Sequence, residues 1–494
     1  MNSKIKKIVN FQFFIPSLFF VVFLFICCMT YQIKIYADDA GFISSYKLSD
    51  EKKSLNRMLS YVPGRNLHIL WQDFGYYITA IDFENFWRHR MLQTFLFTLI
   101  GYLVYKIVCL ITSDKIYSLL AGLIVIFFPV YQDVNWWANA LPQHIISSLF
   151  VLLIILVQIK IRNIRLRFLT NNILAVLAIF TYDQSAAVAF LLLAMESYSY
   201  WSKSKNAGKI NATFIAQSTI VLVLIIIYIQ LVINRNGNGP ELSSSSIPRF
   251  LRNLLLPLFY ILENERYLQY MFIVVGILLL TLYRVAKYRM KELSINLLSL
   301  LNIKYLILAF ASYVPIAVWW VSPRHLYLPG ILFAIWLAQI SFSLIQAKVL
   351  RKSSLKLFAS FLLFLSIGVT SVLAINKTSY SLEREKIYIS LVASVPENET
   401  GKYCYIFDNN SDPNNLFRYE AIPHALAFYS GNNQFSRAKC SPNPVYKINH
   451  VEKCFLYNTT LKNQYGWQII VGDSSKNYNS GKFEIYNLCT INGG

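Results

Sequence analysis

"FQFFIPSLFFVVFLFICCMTYQ", Phe11 to Gln32, holds no charged side chain. A helix of about 20 such residues, rising 1.5 Å each, crosses a hydrocarbon core of about 30 Å. The same pattern recurs along the chain, which is 55% hydrophobic and only 14% charged over 494 residues. Its apolar residues lie in blocks and not at the spacing of a soluble amphipathic helix. After Phe11 to Gln32 come Met91 to Ile111, Ile116 to Tyr131, His144 to Ile159, Phe168 to Thr181, Gln184 to Trp201, Asn211 to Ile233, Tyr267 to Tyr283, Tyr305 to Val321, Leu326 to Gln346 and Leu357 to Ile375. The chain therefore reads as a polytopic α-helical membrane protein with about eleven transmembrane helices. "MNSKIKK" before the first block also fits a signal peptide, but the block is long and no small-residue cleavage site follows, so a retained helix is expected.

The 46 Lys+Arg against 25 Asp+Glu give a net charge of +21. In a soluble chain that excess would suggest nucleic acid. Here "KIKK", "KIRNIRLR", "KSKNAGK", "YRVAKYRMKE" and "KVLRKSSLK" fall in alternate loops on the side of the N-terminus. The positive-inside rule makes that side cytoplasmic, and no nucleic-acid partner is expected. The opposite loops hold the polar chemistry: Lys34 to Arg90, "YQDVNWWANALPQ", "TYDQ", Asn234 to Arg266 and "VSPRHLY". Within the first of these (residues 33–90), "DEKKSLNRMLSYV" and "DFENFWRHRM" read as helices lying on the membrane surface. "YVPGRN" reads as a turn that leaves the Arg65 guanidinium free to meet an anion.

From Asn376 onward no spanning block remains. The reading is a transmembrane domain over 1–375 and a small extracytoplasmic domain, mixed or β, over 376–494, with strands at "KYCYIFD", "GWQIIVGD" and "KFEIYNLC". Cys27, Cys28 and Cys109 lie in spans, whereas Cys404, Cys440, Cys454 and Cys489 lie in the tail. Four cysteines in an oxidising compartment suggest two disulfides, with three possible connectivities.

Other chemistries lack their signatures. The six histidines show no HExxH or paired spacing, and no glycine-rich phosphate loop occurs. The spans are read as free of mid-span carboxylates, which argues against an ion-coupled transporter. The sequence calls for no cofactor and leaves a divalent metal open.

Two acids stand out in "YADDAGF". Asp38 and Asp39 follow the first span at the outer face, where one reading is two solvated loop residues; yet the other outer loops gather Arg65, Asp133, Asn135, Trp136, Trp137, His144, Asp183, Arg249 and Arg324 at the same level. A carboxylate there can take a proton from a sugar hydroxyl while cations hold the phosphate of a lipid donor. Asp183 can also be a helix cap, and the tryptophans an interfacial belt.

"DDAGF" after the first helix, "PGRN", "VNWWANALPQHIISSLF", "FTYDQSAAVAF" and "SPRHLYLPG" together resemble the GT-C superfamily of polytopic glycosyltransferases. More narrowly they resemble the serotype-converting O-antigen glucosyltransferases of enteric bacteria and their phages. "NWWANALPQ" departs from the family in lacking a charged residue, and the tail matches no family motif. The resemblance implies an inner-membrane enzyme with a cytoplasmic N-terminus and a periplasmic C-terminal domain. It implies transfer of a sugar, glucose in the nearest relatives, from a polyprenyl-phosphate donor to O-antigen or a related surface polysaccharide. A flippase and a polyprenyl-phosphate glucosyltransferase would act in the same pathway. Asp38 or Asp39 would be the base, and Arg324 with His325, then Arg65, would hold the donor phosphate. Asp133, Asn135, Trp136, His144, Asp183 and Tyr327 would make weaker substrate contacts. Two other readings compete: a polysaccharide polymerase that relies on outer-loop arginines, and a lipid-linked sugar transporter or flippase.

Overall fold

The computed structural model describes residues 3–33, 43, 46, 65–81, 85–206, 212–233, 303–317, 323–346 and 351–394, and the strands 403–408, 439–440, 453–458, 466–470 and 483–490. The helices are α1 (Ser3–Thr30), α2 (Asn66–Thr79), α3 (Phe86–Thr112), α4 (Lys115–Phe127), α5 (Gln132–Trp136), α6 (Ser147–Lys160), α7 (Ile164–Thr181), α8 (Asp183–Asn206), α9 (Ala212–Ile233), α10 (Lys304–Ala317), α11 (Tyr327–Gln346) and α12 (Lys352–Ser394). Short 3-10 turns cover Pro129–Tyr131 and Pro323–Leu326, and a π-helical turn covers Leu141–Ile146.

Every apolar block except Tyr267 to Tyr283, which lies outside the described residues, coincides with one of these helices. Among the described residues 7 helices are long and apolar enough to cross a membrane, or 8 when the bent pair of α4 and the segment to Trp136 counts as one span. The chain is thus a multi-pass helical membrane protein. The expectation of about eleven spans differs by three blocks: α8 is too polar and α10, at 14 residues, too short to meet the same test, and Tyr267 to Tyr283 lies outside the described residues.

The outer surface is apolar, with Phe13, Phe20, Leu169, Leu222, Phe333 and Phe364 exposed, as hydrocarbon surroundings require. Inside, α3 and α4 form a tight antiparallel hairpin. A Cβ on Gly122 would lie 2.6 Å from the Gly101 carbonyl oxygen, so the two backbones pass with no room for a side chain. The turn between them uses Ser113 at φ 57°. Asp114 caps α4 by accepting from the amides of Ile116 and Tyr117, both at 3.1 Å. The same carboxylate pairs with Lys352 at 2.7 Å and Lys356 at 3.8 Å, so α12 begins at this end of the bundle. Lys304, at the start of α10, donates to Gln158 near the end of α6 at 3.3 Å. These contacts gather basic loops at one end, called here the basic end.

One expectation fails inside the bundle. Glu196 lies well within α8 and is buried, so a carboxylate does lie inside the Gln184 to Trp201 block that was read as a span. It accepts from Arg167 (2.9 Å), Asn171 (2.5 Å) and Tyr200 (2.6 Å). With both oxygens engaged it is a satisfied packing group of α7 and α8.

Two boundaries also differ from the sequence reading. α12 is a single helix of 43 residues that runs on through Asn376 to Ser394, a stretch that holds no Pro or Gly to end it. Phe86 to Met91, expected within a surface helix, form the first turns of α3. "DEKKSLNRMLSYV" lies outside the described residues. Beyond α12, strands β1 (Tyr403–Asp408), β2 (Lys439–Cys440), β3 (Lys453–Asn458), β4 (Gly466–Ile470) and β5 (Phe483–Thr490) make one sheet of order β2-β5-β1-β3-β4. Only the β1–β3 pair is parallel.

Candidate active site

At the end opposite the basic one, the link between α4 and α6 is clamped from α3. Arg90, fully buried, donates to the carbonyls of Asn135 (3.1 Å) and Ile33 (3.3 Å), and Gln93 donates to those of Val134 (2.7 Å) and Trp137 (2.6 Å). Two polar side chains thus satisfy the carbonyls of an irregular segment inside an apolar bundle, where water could not. Trp136 packs on Ile33 and Ala374. Ile33 precedes the two acids in the chain and Ile43, also buried, follows them; Tyr46 meets Tyr76 of α2 at 5.4 Å. Asp38 and Asp39 themselves lie outside the described residues.

α2 bridges this region to the α7–α8 corner. Its buried face mixes His68, Gln72 and Thr79 with Ile69 and Tyr76, while Leu70, Phe74, Tyr77 and Ile78 are exposed, an apolar outer face that a helix in water would not carry. Trp71 of α2 donates to Thr181 at 3.1 Å. Arg65, just before α2, directs Nε and Nη2 at the Asp183 Oδ2 at 3.0 and 2.5 Å and lies over the Tyr182 ring at 4.8 Å. Tyr228 of α9 donates to the other Asp183 oxygen at 2.5 Å. Burial alone would lower the Arg65 pKa, but the Asp183 carboxylate outweighs it and the pKa is raised, fixing the charge. Burial also pushes the Tyr182 phenol up, against the pull of Arg65.

Beside this pair stands a group of rings and cations. The π-helical turn presents His144, a common use of such turns at functional positions. Its ring meets Tyr182 at 5.2 Å and His325 at 5.5 Å, and among the described residues neither ring nitrogen has a hydrogen-bond partner. The Arg324 guanidinium stacks on Trp137 at 3.7 Å. Gln184 donates to the His325 carbonyl at 2.8 Å, tying the 3-10 turn to α8. Arg324, His325, His68 and Arg65 all act electrostatically on His144. Among the described residues no His/Cys/Asp/Glu group is arranged to hold a metal ion.

The structure therefore joins Arg65, Trp137, His144, Asp183, Arg324 and His325, and adds Tyr182, Tyr228 and His68. Histidines scattered in sequence meet here because α2, the π-turn and the 3-10 turn open at one end of the bundle, which spacing does not reveal. Tyr228, inside an apolar run, gave no sequence signal. Several expectations change. Arg65 is not a free guanidinium but is paired with Asp183. Asp183 is not a cap, since the Tyr182 carbonyl accepts the Ala186 amide at 3.0 Å and begins the helix. Trp136 and Trp137 are 1% and 3% exposed, which excludes an interfacial belt and leaves Trp136 no face for a sugar. Asn135 is buried, with Oδ1 accepting from Thr94 at 3.2 Å and, among the described residues, no hydrogen-bond partner for Nδ2. Tyr327 is buried between Phe97, stacked at 5.6 Å, and Tyr131 at 5.5 Å. The Asp133 side chain is outside the described set. A groove of about 460 Å³ between α8 and α9, lined by Ala194, Tyr198, Trp201, Phe214, Val221 and Ile225, contains none of these groups.

No protein-family pattern matches the chain, and no curated protein does. Among solved structures the chain is similar to ArnT from Cupriavidus metallidurans bound to undecaprenyl phosphate, at 12% identity and TM-score 0.43 over 84% of each chain. It is similar to the apo state of that protein at 12% identity and TM-score 0.42, over 86% of this chain and 85% of the other. It is similar to an Archaeoglobus fulgidus oligosaccharyltransferase in complex with Zn and sulfate at 12% identity and TM-score 0.36, over 74% of this chain and 52% of that one. Helical membrane bundles reach such scores without sharing a site, so the chemistry rests on this chain's own residues.

Proposed function

We propose that this protein is a membrane glycosyltransferase of the GT-C type that moves a sugar from a polyprenyl-phosphate donor to a surface polysaccharide. The observation that carries the reading is convergence: "PGRN", "NWWANALPQH", "TYDQ" and "SPRHLY", far apart in sequence, supply Arg65, Trp137, His144, Tyr182, Asp183, Arg324 and His325 to one cluster. An end-of-bundle site rich in Arg and His suits the phosphate of a lipid whose tail stays in the bilayer. Glucose as the sugar, O-antigen as the acceptor and a periplasmic site follow the motif resemblance.

In the proposed reaction Asp38 or Asp39 takes the proton of an acceptor hydroxyl. The hydroxyl oxygen attacks the anomeric carbon, the bond from that carbon to the phosphate oxygen breaks, and polyprenyl phosphate leaves with the electron pair. The anomeric configuration inverts. Arg324 and the histidines beside it stabilise the charge on the departing phosphate. Adjacent residues point in different directions, so one acid is the base.

The test is transfer from a polyprenyl-phosphate hexose to surface polysaccharide in membranes. Asn at the base, with the protein still inserted, should lower turnover by about 10²-fold or more. Near-normal transfer by the Asp38→Asn, Asp39→Asn double variant would overturn the base. If that variant is active while arginine variants are not, the polymerase reading takes its place.

A further inference from the structure

Ser197 of α8 is buried at 7% exposure, yet among the described residues its Oγ has no hydrogen-bond partner. In an apolar bundle such a hydroxyl costs free energy until a polar group meets it. It lines the groove of about 460 Å³ between α8 and α9. Ala194, Ser197, Tyr198 and Trp201 follow one another at i, i+3, i+4 and i+7 and make the α8 wall. Phe214 and Ser218, one turn apart, belong to the α9 wall, so each helix brings one hydroxyl to an otherwise apolar cleft.

The depth of these hydroxyls selects what can meet them. α7 leaves the basic end and α8 returns to it, so the groove begins near that end, where α8 finishes at Asn206 and α9 starts at Ala212. Trp201 and Phe214 stand nearest the helix ends, and Ser197 and Ser218 lie one turn further in, about 6 Å at 1.5 Å per residue. Tyr198 and Trp201 are exposed, with ring centroids 5.6 Å apart. Tyr and Trp on the surface of a membrane bundle mark the level of the lipid headgroups. The hydroxyls therefore sit at the inner edge of that level, where headgroup gives way to hydrocarbon. A diacyl lipid carries its ester carbonyls at this boundary, and an ester oxygen accepts a hydrogen bond. A bare hydrocarbon tail would leave Ser197 unmet, and a polyprenyl chain has no acceptor below its phosphate.

We propose that the groove binds one diacyl glycerophospholipid of the leaflet at the basic end, with an ester carbonyl accepting from Ser197 and an acyl chain running along the walls past Ala194. The groove has the size of a built ligand site, for which about 300–1,000 Å³ is usual. It contains none of the clustered arginines and histidines, and the proposal is independent of the catalytic reading.

The full-length protein in detergent is titrated with dioleoyl phosphatidylglycerol and with the dialkyl ether analogue of the same headgroup and chains, and bound lipid is counted by native mass spectrometry. One net hydrogen bond should make the ester lipid bind about fivefold more tightly than the ether. Ser197→Ala should weaken the ester lipid by about the same factor and erase the preference. Ser197→Thr, which keeps the hydroxyl, should retain it. Ala194→Phe, at an exposed position of the groove wall, should block the site and abolish the rise in Tm that the ester lipid gives the native protein. Equal binding of the two lipids by the native protein would overturn the proposal, as would a preference that survives Ser197→Ala or full binding by Ala194→Phe. A loss of polyprenyl phosphate binding in Ala194→Phe, with the diacyl lipid still bound, would assign the groove to the donor lipid and overturn it as well.

Discussion

Arg65 meets Asp183, 118 residues further along the chain, with Nε and Nη2 both on one carboxylate oxygen at 3.0 and 2.5 Å, while Tyr228 holds the other oxygen at 2.5 Å. One contact joins the chain before α2, the α7–α8 corner and α9. The guanidinium that the sequence reading left free for an anion is thus locked into the scaffold, and in the proposed function Arg324 keeps its place as the first candidate cation for the phosphate.

Removing either partner leaves an unpaired charge in a mostly buried place, so Arg65→Ala and Asp183→Ala should each lose about 3 kcal/mol. The double variant should recover much of that loss. Thermal unfolding in detergent measures all three, and additive losses would show that the pair does not couple.

Arg324→Lys keeps the charge but loses the planar fork and the flat face on Trp137. Transfer should fall about tenfold or more, with kcat lowered and the KM for the lipid donor raised. Trp137→Leu should reproduce part of that change with Arg324 intact. Normal kcat and normal donor KM in both would remove Arg324 from the phosphate site.

Glu196 belongs to the scaffold. Glu196→Leu strands Arg167 beside Tyr200 and should lower stability, whereas Glu196→Gln keeps most hydrogen bonds and should be milder. Transfer per folded molecule should stay the same in both. A loss of transfer with normal stability would point instead to proton movement through α8.

Asp114 predicts an acid limit. Burial would raise its pKa, but the hydrogen bond from Lys352, the Tyr117 amide and Lys356 prevail and hold it below the ordinary carboxylate value. A depressed folded pKa contributes stability that is complete above the unfolded value of about 4 and disappears as the pH falls through the folded one. Melting in detergent should drop below about pH 4 more steeply in the native protein than in Asp114→Asn. Parallel curves would show that the pairing contributes nothing.

The helices were legible because each apolar block is a local property, and α1, α3, α9 and α11 fall where hydropathy alone puts them. The cluster was legible only in part. Arg324, His144 and Asp183 stand out as polar residues beside spans, but their partners do not: Tyr228 hides in an apolar run, and Arg90 and Gln93 resemble ordinary residues at a helix start. Glu196 stands in view inside the Gln184 to Trp201 block, but the partners that satisfy it, Arg167 and Asn171 on α7 and Tyr200 one turn along α8, do not show in the sequence. Trp136 and Trp137 resemble an interfacial pair until the clamp from α3 turns them inward.

The α3–α4 hairpin has a consequence for how the protein is made. Its two helices are separated only by Ser113 and Asp114, and at Gly101 and Gly122 they touch backbone to backbone. A two-residue turn leaves α3 and α4 little freedom to take up independent orientations, so the pair should enter the bilayer as one hairpin. Lys352 lies more than two hundred residues further along the chain and is translated much later. The ion pair at the tip of the hairpin therefore forms only once the start of α12 has been made.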